Sequence, residues 1–235
     1  WPGCYGNLTP AHSSDEIRAA ELVQPGGPVS MAKAWKEMVH RYLAMIVGSL
    51  IAAIMLRSWV DGKTWRLSPV LPTVTALAVI FQAALGAWTV TMLLKPAIVT
   101  SHLLGGITIL ALLVTILFRV GGTAGWCARI APIPPLKWMG MIAIVVLACQ
   151  IILGGWVSTN YAALACQDLP TCHGQWIPSM DFANAFHIIR PLGVGPDGEL
   201  LTIEALRAIH WVHRLGALVA LLVVGWFAIL LMRQP

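Results

Sequence analysis

The chain has 235 residues, of which 58% are hydrophobic and only 11% charged, with a formal net charge of +5. Water-exposed domains carry about 25% charged residues, so this balance excludes an ordinary one and points to a membrane protein. The positive charge forms no basic cluster interleaved with aromatics, which argues against nucleic acid as a partner.

The decapeptide WPGCYGNLTP opens the chain, and LPTCHGQWIP at Leu169–Pro178 repeats its pattern of a bulky residue, Pro, any, Cys, any, Gly, three of any kind and Pro. Trp1 stands inside what reads as a loop and no signal peptide is visible, so a fragment of a longer protein is expected. Five apolar stretches follow: Met38–Leu56, Val70–Leu94, Ile98–Phe118, Leu136–Val157 and Ala208–Met232. A bilayer crossing takes about 20 helical residues, and a lone strand could not satisfy its backbone in lipid. Each stretch is therefore predicted to be a helix, and lipid is the expected surroundings. The predicted fold class is all-α: a polytopic transmembrane helical bundle with five spans here, part of two pseudo-repeated four-helix bundles.

The connections orient the spans. Arg57, Lys63 and Arg66 stand against Asp61 in one, and Arg119, Arg129 and Lys137 stand without an acid in another. Asp15, Glu16, Glu21, Asp168, Asp181, Asp197, Glu199 and Glu204 gather on the opposite side. The positive-inside rule places the basic turns in the cytoplasm and both cysteine loops outside.

The echo extends beyond the decapeptides. EMVHRYLAMIVG (Glu37–Gly48) and IHWVHRLGALVA (Ile209–Ala220) each enter a span through His-Arg, and QAALGAWTVT (Gln82–Thr91) matches QIILGGWVST (Gln150–Thr159). Duplicated membrane halves place their sites at equivalent positions. The expected division is residues 1–119, an N-terminal half lacking its first helix, and 120–235, a C-terminal half lacking its last helices.

His40, His102 and His213 lie at the outer ends of spans that all run inward, so their imidazoles are expected at one depth. Gly48, Gly105, Gly106 and Gly216 fall roughly on the histidine faces, offering bare backbone that a flat macrocycle could approach. Zinc fits poorly, since no thiolate or carboxylate except Glu37 stands at helical spacing around them. Paired helix imidazoles suit haem iron better, whereas single interfacial histidines would be hydrogen-bonded anchors. Arg41 and Arg214 are either partners for haem propionates or snorkelling anchors. His210 could touch a haem edge or sit at the interface. Glu37, one turn before His40, is either a proton acceptor or charge stabiliser at the mouth of a pocket, or a first-turn acid favoured by the helix dipole. Cys166 and Cys172 read as a disulfide pinning the outer loop, with a thiol relay as the alternative; Cys4 matches Cys172 in the repeat, so its partner is expected ahead of Trp1, and Cys127 and Cys149 read as ordinary small residues.

Taken in order, WPGCYG, EMVHRYLAMIVG, TSHLLGG, LGGWVSTN with CQDLPTCHG, and VHRLGA make the chain resemble the haem A synthase family of cytochrome oxidase assembly. The resemblance covers nearly the whole chain and implies helices two to six of an eight-helix protein. It implies oxidation of a methyl group of haem O to the formyl group of haem A through hydroxylated intermediates. It further implies His40 and His102 around the substrate haem, Glu37 in catalysis, and His213 as one axial ligand of an electron-transfer haem b, the other lying in a helix outside this chain. Haem O synthase, a reductant and a second copy of the chain are the expected partners beyond haem itself. The alternatives are a di-haem b-type cytochrome for quinone-linked electron transfer and a haem carrier; an acid beside the ligand, such as Glu37, is what pure electron transfer does not need.

Overall fold

The computed structural model describes residues 9–10, 13–23, 31–65, 67–121, 134–195 and 198–233. Cys4, most of the first decapeptide, His12 and Cys127 lie outside the described residues. The helices are α1 (Ser14–Val23), α2 (Met31–Trp65), α3 (Val70–Thr91), α4 (Pro96–Val120), α5 (Pro134–Thr159), the short α6 (Phe182–Ala185) and α7 (Ile203–Met232), with a 3₁₀ turn at Ala162–Leu164 between α5 and α6. Five of them, α2, α3, α4, α5 and α7, are long and apolar enough to cross a membrane. Their apolar side chains are largely exposed, as at Leu50, Ile80, Leu117, Ile144 and Leu221, which suits a lipid solvent rather than water.

Hydropathy marks the membrane stretch, but the helices run further. α2 begins seven residues ahead of the predicted Met38 because Lys33, Lys36 and Glu37 continue it as good helix formers. It passes Leu56 through the Arg57–Asp61 ion pair of 2.6 Å, one helical turn apart, and kinks at Asp61 (φ −120°, ψ 22°). α7 begins at Ile203, ahead of the predicted Ala208, because Thr202 caps it by accepting the Ala205 N–H at 3.2 Å. α1 lies in a segment for which no helix is expected from hydropathy. There Ser13 and Glu16 form a reciprocal capping box, Ser13 N–H donating to Glu16 Oε2 at 3.1 Å and Glu16 N–H to Ser13 Oγ at 3.2 Å.

The chain divides into two compact units, Trp1–Phe81 and Gln82–Pro235. Within the second, α4 packs on α5. A Cβ added at Gly155 of α5 would lie 3.0 Å from Thr100 Cγ2 and 3.3 Å from Leu103 Cδ2, so a side chain there would press on both. In the first unit, α2 and the start of α3 are joined by the Trp59 indole N–H donating to Thr73 Oγ1 at 3.1 Å, and by Gly48, whose bare face meets Val79.

In the second unit, the connection from α5 to α7 folds over the ends of those helices. Ala162, Ala185, Ala205 and Ala208 are fully buried with Ile209, Trp156 and Val157. Four small residues let the 3₁₀ turn, α6 and the first turns of α7 approach closely. The Trp156 indole donates to Ala185 O at 3.0 Å, and the buried Arg190 lies 5.5 Å over the Trp156 ring while donating to Asn160 Oδ1 at 2.6 Å. This cap fixes the ends of α5 and α7 that carry the candidate site.

Candidate functional site

The two halves of the QAALGAW and QIILGGW echo build the same local structure on different helix pairs. On α3 and α4, the Gln82 carboxamide donates to the His102 main-chain carbonyl at 2.6 Å. Four residues on, Gly86 faces the His102 ring, where an added Cβ would stand 3.1 Å from Cε1. On α5 and α7, Gln150 donates to the His213 carbonyl at 3.1 Å, and an added Cβ at Gly154 would stand 3.2 Å from His213 Cε1. Each histidine is followed three residues later by a glycine, Gly105 or Gly216, at which a Cβ would collide with the carboxamide oxygen of Gln82 or Gln150. Gln-x3-Gly on one helix thus receives His-x2-Gly on the next, twice.

This arrangement corrects the expectation that Gly105 and Gly216 leave open backbone for a macrocycle: the glutamine side chains occupy those faces. The two glutamines are the site residues that sequence reasoning missed, although the echo that contains them was visible. Adjacent glycines of α5 also face the two histidine-bearing helices, α7 and α4. Gly154 meets His213 on α7, while Gly155 meets Thr100 and Leu103, which bracket His102 on α4. His213 and the two residues that flank His102 thus meet neighbouring positions of α5.

Around His213, Gln150 Nε2 lies 3.0 Å from Nδ1. The same amide nitrogen donates to the His213 carbonyl, so Nδ1 is its second acceptor and the proton of a neutral ring stands on the ring's Nε2. The ring is held through one nitrogen by a neighbouring group, as a metal-binding imidazole ordinarily is, but Nε2 would bind a metal only after that proton leaves. Among the described residues, no group of three or more His, Cys, Asp or Glu side chains gathers as a metal cluster.

Arg214, next to His213, has a role that neither expectation for it named. Its Nη1 donates to Asp168 O at 2.7 Å and Thr171 O at 2.8 Å, its Nη2 to Cys166 O at 2.9 Å, and its Nε to His210 Nε2 at 3.3 Å. Four hydrogen bonds from a group with five N–H donors leave little for a propionate. The guanidinium instead clasps a loop closed by a disulfide between Cys166 and Cys172. Within the loop the Asp168 carboxylate accepts from the Thr171 hydroxyl, from His173 N at 2.6 Å and from Gly174 N at 2.9 Å. The Thr171 hydroxyl and these main-chain N–H groups hold the Asp168 carboxyl well below the usual carboxylate range. They also fix the turn in which His173 and Gly174 both take positive φ, 52° and 72°.

Glu37, His40 and Arg41 belong to the first unit, on α2, and His102, His213 and Arg214 to the second. Glu37 pairs with Arg41 one turn on, and Arg41 also lies 4.0 Å from Met38 Sδ. The two side chains for which separate roles are expected are thus partners. Glu37 is half exposed and His40 is exposed. The Arg41 side chain is only 13% exposed against 53% for Glu37, so the carboxylate is the more solvent-accessible member of the pair. Cys149 is a free thiol on the exposed face of α5.

The whole chain, residues 1–235, matches the family COX15-CtaA, described as cytochrome oxidase assembly protein. A protein named heme A synthase from Shewanella oneidensis is 38% identical over 221 residues, covering 93% of this chain and 65% of the relative. Another of that name from Halalkalibacterium halodurans is 26% identical over 226 residues, covering 91% of this chain and 65% of the relative. A third, from a Chelativorans species, is 32% identical over 203 residues and is covered to 53%. The chain thus spans about two thirds or less of the length of these relatives. No solved structure matches it. By sequence match along its whole length, and with five helices able to cross a membrane, the chain belongs to the COX15-CtaA family of cytochrome oxidase assembly proteins.

Proposed function

We propose that the chain forms the central part of a haem A synthase, an oxidoreductase that converts a methyl group of haem O to the formyl group of haem A through hydroxylated intermediates. The observation that carries this reading is the duplicated cradle in which Gln82 and Gly86 receive His102, and Gln150 and Gly154 receive His213. A repeated imidazole seat suits a protein that handles two haems, and the relatives' printed name supplies the reaction.

In this proposal His40 and His102 serve the substrate haem, an assignment that rests on the resemblance to the haem A synthase family. His213 would hold a haem b, which would supply electron transfer. Glu37 leaves Arg41 to take up a proton or to stabilise positive charge on the carbon being oxidised, and Arg41 is freed to meet a propionate. Arg214 keeps the disulfide loop on the His213 helix. The protein lies in a bacterial cytoplasmic membrane with the cysteine loop on the periplasmic side and receives haem O from a haem O synthase; the four-electron oxidation of the methyl group is balanced by dioxygen as oxidant, each hydroxylation reducing one dioxygen with two further electrons from a separate reductant.

The full-length protein incubated in air with haem O and a reductant, followed by mass analysis of the extracted porphyrins, tests the reading. A product in which one oxygen has replaced two hydrogens is expected. Unchanged haem O, with a reversible haem redox spectrum, would make the protein a cytochrome instead.

A further inference from the structure

We propose that the loop closed by the Cys166–Cys172 disulfide is an interfacial anchor, with Leu169, Trp176 and Ile177 seated at the boundary between lipid headgroups and acyl chains. It stands on the membrane-spanning helices alone, independent of the haem reading. The three side chains are 79%, 70% and 74% exposed. Large apolar groups left uncovered on one loop mark a contact surface rather than a face turned to water.

The attachments of the loop set its depth. Trp211 of α7 donates its indole N–H to the Trp176 main-chain carbonyl at 3.0 Å. Arg214, less than one turn further on, donates to the carbonyls of Cys166, Asp168 and Thr171 at 2.7–2.9 Å. The loop therefore lies against the turn of α7 from Trp211 to Arg214. α7 has 30 residues, which at 1.5 Å each make a rod of about 45 Å, against a hydrocarbon core of about 30 Å. About ten of its residues thus stand outside that core. Arg233 follows the far end of α7 and holds that end at headgroup level. The hydrocarbon then begins near the Trp211–Arg214 turn.

The main chain of the loop is closed as lipid requires, where no water supplies a partner. Besides the four carbonyls bound by Trp211 and Arg214, Ala165 O accepts from His173 Nε2 at 3.0 Å. Cys172 and Gln175 exchange both N–H···O bonds, at 2.9 and 3.2 Å. The Asp168 carboxylate takes the N–H groups of His173 and Gly174. A loop standing in water has no need of such closure. Trp211, Leu215, Leu218 and Leu222 share one face of α7, and the three leucines are exposed. The loop continues that lipid-facing stripe towards the headgroups, which is where tryptophans gather in membrane proteins. The charge on Asp168 keeps it at that level and no deeper.

The test is fluorine NMR of the full-length protein, carrying 5-fluorotryptophan, in phosphatidylcholine nanodiscs. Trp176→Phe assigns the Trp176 resonance by its loss, and Trp176→Tyr does so should the phenylalanine variant fail to assemble. Dioxygen, which partitions into lipid, and a water-soluble gadolinium chelate are then compared as relaxation agents. The ratio of the oxygen effect to the chelate effect at Trp176 is expected to be several-fold higher than for free 5-fluorotryptophan in buffer. With Leu169→Ser and Ile177→Ser together, the ratio is expected to fall towards the free value, and no fall would overturn an anchor composed of these three residues. A ratio in the unsubstituted protein equal to that of the free amino acid would put the loop in water and overturn the proposal. Weak relaxation by both agents would mean that protein covers the loop, whether a further helix of the full-length protein or a second copy, and would overturn it equally.

Discussion

Arg214 Nη2 donates to the Cys166 carbonyl at 2.9 Å, which ties the disulfide loop to the residue immediately after His213. With the bonds to Asp168 and Thr171, three of the loop's carbonyls converge on one guanidinium. Lysine carries the charge but not the planar fork. Arg214→Lys is therefore expected to loosen residues 166–174 while leaving helix content unchanged. Losing charge-assisted bonds of this kind costs about 2 kcal/mol, which corresponds to roughly 30-fold faster amide exchange in the loop. Hydrogen exchange by mass spectrometry measures it, and protection equal to that of the parent protein would show the clasp to be idle.

Asp168 gives the same loop a pH dependence. Its folded-state pKa is depressed below the ordinary 3.8 by the Thr171 hydroxyl first, then by the Gly174 and His173 N–H groups. The stabilisation is thus fully present above the unfolded-state value and is lost as pH falls through the folded-state one. Loop protection is expected to hold at neutral and mildly acid pH and to decline only below about 4. Asp168→Asn should remove that decline, because the amide does not titrate. Exchange rates of the loop amides across the acid range check it, and a decline that persists in the variant would assign it to another group.

The cysteine pair reports topology. With Cys166 and Cys172 joined, a membrane-impermeant maleimide applied to intact spheroplasts is expected to label neither residue before reduction and both after it. Cys172→Ser should expose Cys166 to the reagent without reduction. Labelling of the pair only after the membrane is broken would place the loop on the cytoplasmic side.

The glycines divide into two kinds. At Gly155 a methyl group would press on Thr100 and Leu103, and at Gly154 on the His213 ring. Alanine at either is expected to cost about 1–3 kcal/mol, as overpacking does. Gly225 of α7 has nothing within 4 Å of an added Cβ, so Gly225→Ala is expected to gain up to about 1 kcal/mol from helix propensity. Thermal unfolding in one detergent compares the three, and equal effects would mean that α4, α5 and α7 do not approach as closely as described.

Glu37→Gln removes the charge and keeps the shape. Conversion of haem O by the full-length protein is expected to fall by roughly 100-fold or more, in the range of a lost general base, with haem content unchanged. Unimpaired turnover would return Glu37 to its pairing with Arg41 and no more.

Much of this was legible in the residues. Apolar length alone located five helices, because lipid demands about 20 residues of internal backbone bonding. Helix ends were not, since capping by Thr202 and the Ser13–Glu16 box acts where hydropathy falls silent. The Cys166–Cys172 bond was readable from spacing and side. The Arg214 clasp was not, because its acceptors are main-chain carbonyls some 43 to 48 residues earlier, which no side-chain pattern reveals. The role of Gln82 and Gln150 lay between these cases. Gln and Gly four apart share a helix face, and both echoes display the pair, but the neighbour that the face meets is fixed only by the packing of α3 on α4 and α5 on α7.

The most direct test of the haem-handling account is electron paramagnetic resonance of the full-length protein with and without the His213 imidazole. A low-spin ferric haem signal in the parent protein that disappears in His213→Ala, while the helices and the disulfide loop persist, is the expected result. The same low-spin signal surviving in His213→Ala would contradict it.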